Sequence, residues 1–336
     1  MSRKRASAGK TPTPLQLRGQ EIVAALRGEP SPTPPGLRHP DPRIGVALGG
    51  GSARGLVHVP YIEVLDELGI TPSVISGCSI GALIGAGWAA GMTGKELREH
   101  STSVLANMRV IAGRIWSTHV GGGITNIFTK GIPLALDATK VVDSFIPDHF
   151  PREFHELRFP MYIVATDFQS WHQVVFNEGP LREAIAGSIA IPSLFRPVSY
   201  ANHLLVDGGV VNPLPLDQIA TNTDLTIGID VNGDPSEGLS KTNHGTLDVW
   251  FGAAQIMMHA LIAHMMAAYP PDVYVRPHLS HFGALEFWRV REIIEHADAE
   301  KDRFKRMVTE KVEAFIAEQQ RTLSAIHSSG TRLALK

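Results

Sequence analysis

The sequence predicts a three-layer α/β/α domain on a mainly parallel central sheet, followed by a helical C-terminal extension. Three observations carry that reading. Short, unbroken apolar runs such as Ile44-Gly45-Val46-Ala47-Leu48 are too brief for helices and read as strands buried on both faces. Glycine-rich turns follow such runs and open segments of helical periodicity. Strand and helix patterns then alternate along the chain, as crossover connections in a parallel sheet require.

Taken in order, residues 1–42 form a proline-rich basic arm. Eight prolines (Pro12, Pro14, Pro30, Pro32, Pro34, Pro35, Pro40, Pro42) lie among Ser, Thr, Gly and Arg, a composition that resists packing. One short helix, about Gln16 to Leu26, is expected within it. The basic start lacks an apolar stretch, so it does not read as a secretory signal. Order begins at Arg43 with the strand Ile44–Leu48. A helix from Arg54 to Leu68 follows, with Leu56, Val59, Ile62, Leu65 and Leu68 on one stripe. Pro60 predicts a kink there or a first turn that starts late. Val74–Ser76 is a second strand, and Ala82–Ala90 a small-residue helix that stops at Gly91. Residues 92–155 read as mostly helical, broken at Gly121-Gly122-Gly123 and at Gly131. Further strands are expected at Met161–Ala165, Gln173–Phe176, Leu204–Val206 and Leu225–Ile229. Residues 43–230 are the expected catalytic domain and 231–326 the helical extension packed on it. Its tail, from Glu286 to about Ile326, should bury Phe287, Val290, Ile293, Ile294 and Ala297.

A chain of 336 residues, 43% hydrophobic and 19% charged, can bury a sizeable core. A formal net charge of −2 gives no field that points to nucleic acid. The single cysteine, Cys78, excludes an intrachain disulfide and fits a reducing compartment. Between Asp248 and Asp272 the sequence carries no formal charge. Gln255, His259, His264 and Pro270-Pro271 interrupt it, so it reads as something other than a spanning helix. Its stretch Ile256, Met257, Met258, Leu261, Ile262, Met265, Met266 reads as core by default. A face that rich in methionine also suits acyl chains or a bilayer surface.

Three motifs carry chemistry. Gly77-Cys78-Ser79-Ile80-Gly81 lies between a strand and a helix, the context of a nucleophile elbow. Gly77 and Gly81 keep that turn tight, and Ser79 is lifted to the helix N-terminus, where free amides favour negative charge. Gly49-Gly50-Gly51-Ser52-Ala53-Arg54-Gly55 also follows a strand. It could cradle a pyrophosphate or offer amides to an oxyanion. The dinucleotide spacing fails, because Arg54 or Ser52 stands where a glycine is needed. Asp207-Gly208-Gly209 follows the strand Leu204–Val206, a carboxylate at a strand end, although such a turn alone is common.

Together, in this order, the motifs resemble the patatin-like phospholipase family, in particular its short bacterial members. Ala165-Thr166-Asp167 and the stretch from Ala186 to Val198 also look like family sequence. The likeness is close from about Ile44 to Asp230 and looser to about Ile316. It implies a serine acyl hydrolase in which Ser79 attacks a lipid ester and Asp207 takes its proton, with no metal and no cofactor. It implies that amides of Gly50, Gly51 and Ser52 hold the oxyanion, with Arg54, Gly55, Gly208 and Gly209 as support. Many members carry glycine where Ser52 stands, which puts a strain there if the backbone needs positive φ. Arg54 either steadies the loop or meets an anionic head group, the former favoured.

The expected partners are a lipid or acyl ester, with peripheral membrane contact open, no nucleic acid, and an oligomeric state that the sequence leaves open. The expected location is the cytoplasm or the inner face of its membrane. Two rivals remain. One is a Ser-His-Asp carboxylesterase using a later histidine, His278 or His281 first. The other is a lipid-binding protein with little turnover. His58 reads as a helix-surface or capping residue, and Cys78 as a small packing residue.

Overall fold

The computed structural model describes residues 42–119, 136–147, 149–233, 246–279 and 281–333. The expected arm helix and the glycine breaks at 121–123 and 131 lie outside these residues. The chain divides into two compact units. The larger, Arg43–Lys311, carries the sheet and every site residue named above. The described part of the smaller, Met1–Pro42 with Val312–Lys336, is Pro42 and the end of the last helix.

Strand β1 (Ile44–Leu48) is buried throughout, as its unbroken apolar run requires. The helical segment after it begins as a 3₁₀ turn over Ser52–Val57 and becomes α1 (His58–Glu67). Pro60 therefore sits in a first turn, where its missing N–H is not needed. Strand β2 (Val74–Cys78) runs two residues further than expected, and α2 (Ile80–Ala89) starts two residues earlier. Next come α3 (Gly94–His119), α4 (Ala138–Phe145), β3 (Met161–Asp167), β4 (His172–Phe176) and α5 (Leu181–Ser188). β5 (Val198–Tyr200) was not expected, and it precedes β6 (His203–Asp207) and β7 (Leu225–Ile229). The chain ends with α6 (Thr246–Ala268), β8 (Val273–Val275), α7 (Val290–Asp298) and α8 (Lys301–Leu333).

The pairing path is β5-β6-β3-β2-β1-β7-β8, with β4 also on β3. The pairs β2–β1, β1–β7, β2–β3 and β7–β8 are parallel; β3–β4, β3–β6 and β5–β6 are antiparallel. Alternation puts Ala47 and Leu48 of β1 on opposite faces. A methyl on Gly85 of α2 would lie 2.9 Å from Leu48 Cδ1, so α2 covers that face. Ala47 packs with Leu216, Ile219 and Ile262 of α6 on the other. Helix, sheet and helix thus form three layers.

The C-terminal helices are fastened to α1. Tyr61 meets Phe304 edge-on at 4.8 Å, and Ile293, Ile294 and Ala297 are buried as expected. Phe287 is not among the buried residues. Arg98 of α3 joins Glu63 of α1 to Asp298 of α7 with two edges of its planar guanidinium. The expectation of a core role for α6 holds for Ile262, with Met265 and Met266 packed beside it. It fails for Ile256 and Met257, which are 68% and 62% exposed.

Candidate active site

Ser79 and Asp207 meet because two strands end head to head. β2 pairs with the first half of β3, up to Cys78 opposite Val164. β6 pairs with the second half, down to Asp207 opposite Ala165. β4 occupies Ile163–Asp167 continuously, which leaves β2 and β6 the same edge of β3. They run toward each other and stop at consecutive β3 residues. Asp207 was expected at a strand end, and it closes β6, an antiparallel strand that enters from beyond that edge and runs back.

At the junction Ser79 Oγ donates to Asp207 Oδ2 at 2.6 Å. Ser79 has φ 53° and ψ −122°, the strained turn of an elbow, about 1–3 kcal/mol above relaxed backbone. The flanking glycines permit it by close approach. A Cβ on Gly77 would lie 2.7 Å from Ala82 Cα, and one on Gly81 2.2 Å from the Leu48 carbonyl oxygen. Ser79 caps α2, so the amides of Ile80 and Gly81 lie in its first turn without intrahelical acceptors.

Asp207 is buried, and that desolvation pushes its carboxyl up to about 6. Hydrogen bonds from Ser79 Oγ and from the Gly209 amide, 2.8 Å to Oδ1, pull the other way without offsetting it. Burial first, and then the Asp207 charge, push the Cys78 thiol well up, so it stays protonated and packs as a small apolar group. A Cβ on Gly208 would strike the Val164 carbonyl oxygen at 2.2 Å and approach Cys78 Sγ at 3.1 Å. Only glycine lets the Asp207 turn close on the junction.

The glycine-rich loop needs one correction. The Gly50 amide, expected to face an oxyanion, donates to the Pro213 carbonyl at 2.8 Å, and Gly49 N donates to Ile229 O at 3.0 Å. The amides of Gly51 and Ser52 have no acceptor among the described residues and remain the loop's free donors. A Cβ on Gly51 would lie 2.4 Å from Val231 O, so that position also requires glycine. Ser52 has φ 55° and carries the strain anticipated for it. Ser52→Gly should therefore raise stability by about 0.5–1 kcal/mol in urea unfolding. Gly55 packs against Ile80, whose Cγ2 would be 2.0 Å from an added Cβ.

Arg54 is buried, and its guanidinium holds backbone: Nε donates to Phe282 O at 2.8 Å and Nη1 to Asn232 O at 3.4 Å. Desolvation lowers its pKa, with Glu286 partly compensating. His58 is not on a helix surface. It is fully buried, its Nε2 is 2.8 Å from Gly49 O, and burial pushes its pKa down to about 4. A carbonyl partner requires Nε2–H, so His58 is a neutral prop under the loop.

Sequence reasoning gave no role to several residues the site uses. Thr166 Oγ1 donates to the Asp207 carbonyl at 2.9 Å. Asp167 turns away to accept from His203 Nδ1 at 3.0 Å and Ser170 Oγ at 2.8 Å, contacts that hold its carboxyl well below the usual range. Ser188 Oγ accepts from Ser79 N at 2.8 Å. Asn232 and Gln255 of α6 exchange two hydrogen bonds of 3.1 Å, which seats α6 beside the loop. Met258 of α6 lies 3.1 Å from where a Gly209 Cβ would be, next to the carboxylate. His296 Nε2 bonds the His278 backbone carbonyl at 2.8 Å, and the His281 ring lies 4.1 Å from that of Phe282.

Known proteins share this arrangement of sequence. A family model described as Patatin-like phospholipase matches residues 46–220. An uncharacterized NTE family protein of Mycobacterium tuberculosis is 36% identical over 206 residues, 60% of this chain and 53% of that protein. Patatin-like phospholipase domain-containing protein 7 of Rattus norvegicus is 28% identical over 214 residues, 62% of this chain and 15% of that protein. Neuropathy target esterase sws of Drosophila melanogaster is 29% identical over 215 residues, 60% and 14% respectively. The chain thus spans about half the length of the mycobacterial relative and far less of the two animal proteins. The family match covers more than half of the chain, from β1 past the Asp207 turn. The chain belongs to the patatin-like phospholipase family.

Proposed function

We propose that this chain is a serine acyl hydrolase that cleaves carboxylic esters of lipids through a Ser79–Asp207 dyad. The observation that carries the reading is the 2.6 Å contact between Ser79 Oγ and a buried Asp207 oxygen. A carboxyl raised to about 6 is still ionised at neutral pH, yet basic enough to take a proton as Oγ attacks. The tetrahedral oxyanion would meet amides of Gly51 and Ser52 and the N-terminus of α2. Collapse breaks the ester C–O bond, protonated Asp207 returns its proton to the leaving alcohol, and an acyl-Ser79 ester remains. Water, deprotonated by Asp207, then releases the fatty acid. The names of the relatives, a phospholipase-domain protein and an esterase, agree with this substrate class.

Hydrolysis of p-nitrophenyl butyrate separates the dyad from a histidine triad. Ser79→Ala and Asp207→Asn should be inactive while folded, and the double variant His278→Ala/His281→Ala should keep wild-type kcat. Loss in the histidine variant with activity retained in Asp207→Asn would reverse the assignment.

In this reading α6 makes peripheral contact with a bilayer, which we propose is on the cytoplasmic side. Val249–Ala268 is long and apolar enough to cross a membrane, yet only 6% of it is buried. Met258 places that surface next to Asp207. An apolar helix lying in the headgroup region would hand an acyl chain to the site without passage through water. Ile256→Glu/Met257→Glu should lower sedimentation with phosphatidylcholine vesicles at least about 10-fold and leave p-nitrophenyl butyrate hydrolysis unchanged. Unchanged sedimentation would show that α6 does not hold the protein on the bilayer.

A further inference from the structure

The C-terminal turn of α5 touches both halves of the dyad through groups two residues apart. Ser188 is fully buried. Its hydroxyl accepts from the Ser79 amide at 2.8 Å and donates to the Val164 carbonyl at 2.6 Å. Two residues on, the Ala190 carbonyl accepts from the Asp207 amide at 2.9 Å. Val164 is the β3 residue opposite the end of β2, and its neighbour Ala165 is opposite Asp207. The turn therefore spans the gap where the two strand ends meet.

We infer that Ser188 is a positioning residue for the nucleophile, and that the Ser188–Ala190 turn sets the distance between Ser79 and Asp207. The inference rests on the dyad reading above. The strained elbow at Ser79 has a backbone amide that cannot reach an intrahelical acceptor, because Ser79 precedes α2. Ser188 supplies that acceptor and ties it to β3, the strand that also registers Asp207. A hydroxyl is the group the position needs, since one oxygen must accept from an amide and donate to a carbonyl at once. With the Ser79 amide so occupied, oxyanion stabilisation falls to the amides of Gly51, Ser52, Ile80 and Gly81. Ser188 touches neither substrate nor reacting atoms; it acts through Ser79.

Removing the hydroxyl frees the elbow to relax toward ordinary backbone, which moves Oγ off Asp207. Displacements near 1 Å cost on the order of 100-fold in rate. Ser188→Ala should therefore lower kcat for p-nitrophenyl butyrate about 10–100-fold with KM unchanged. A fluorophosphonate should still label Ser79 to one equivalent per chain, but with a rate constant reduced in parallel with kcat. A residue that only stabilises the fold would lower the end-point stoichiometry and leave the rate per labelled site intact. If the alanine variant does not fold, Ser188→Cys keeps the volume with a poor acceptor and carries the same expectation. Wild-type kcat and labelling rate in a folded variant would overturn the inference, and so would a lower end point with an unchanged rate per site. Wild-type protein that never labels at Ser79 would instead overturn the dyad reading beneath it.

Discussion

Asp207→Asn should be the more stable protein and the far less active one. The carboxyl is raised to about 6 in the fold by desolvation, against about 3.9 when unfolded. Between those two values the native state holds a proton that the unfolded state has lost, so stability falls as pH rises from about 4 to about 6. Above that window the ionised carboxylate costs about 3 kcal/mol, at about 1.4 kcal/mol for each pH unit of displacement. Asparagine keeps the bond from the Gly209 amide and can donate to Ser79 Oγ, but carries no charge to bury. Its stability should exceed wild type by about 1–3 kcal/mol at pH 8 and match it at pH 4, as read by urea unfolding at the two pH values. Activity should fall about 10²–10⁴-fold, the usual contribution of a positioned base. In wild type, kcat/KM should rise with unit slope up to a midpoint near pH 6 and then level off, because the dyad requires the ionised carboxylate. A stability gain coupled to inactivity is the signature of a group kept for chemistry at the expense of the fold.

Gly81→Ala is the substitution with the largest expected effect on stability. The added methyl would lie 2.2 Å from Leu48 O, 2.6 Å from Leu48 C and 2.7 Å from Gly49 O. All three are backbone atoms of β1 or the glycine-rich loop, held by pairing on both sides of β1. No side chain can swing away, so α2 must lift off the sheet and carry Ser79 with it. A loss of at least about 3 kcal/mol is expected, or insoluble protein, together with loss of esterase activity. Gly252→Ala is the matched control: a Cβ there meets nothing within 4 Å on α6, and about 0.5–1 kcal/mol of stabilisation is expected from the better helix former. Equal melting temperatures for wild type and Gly81→Ala would contradict the packing described here.

How much of this is legible in the sequence depends on what kind of constraint each residue meets. The elbow is legible because its steric demand falls on fixed positions, Gly77 and Gly81, beside an apolar run too short for a helix. β1 and β7 are legible for the same reason, as apolar runs buried on both faces. The direction of β6 is not: Leu204–Val206 has the same pattern whichever way the strand runs, so the end-to-end meeting with β2 follows only from register. The Gly50 amide shows the same gap, since glycine permits many backbone paths and does not say where its N–H points. Ser188 lies in the family-like stretch from Ala186 to Val198, but its role is not legible there, because a hydroxyl near the end of a helix is ordinary until its partners are known. α6 misleads in the opposite sense. A wide apolar helical face is expected to be buried, yet Ile256 and Met257 face outward while Ile262 alone of that stretch is fully in the core. The buried His58 was hidden by the late start of α1, which turns its side chain under the loop.

Ser79 should become acylated with Asp207 as its base, and peptide mapping by mass spectrometry after reaction with a fluorophosphonate, across pH 4–8, reads this out. One adduct per chain is expected, on Ser79, with a labelling rate that rises through a midpoint near pH 6 and falls at least about 100-fold in Asp207→Asn. An adduct on another residue, or on Ser79 at an undiminished rate in Asp207→Asn, would contradict it.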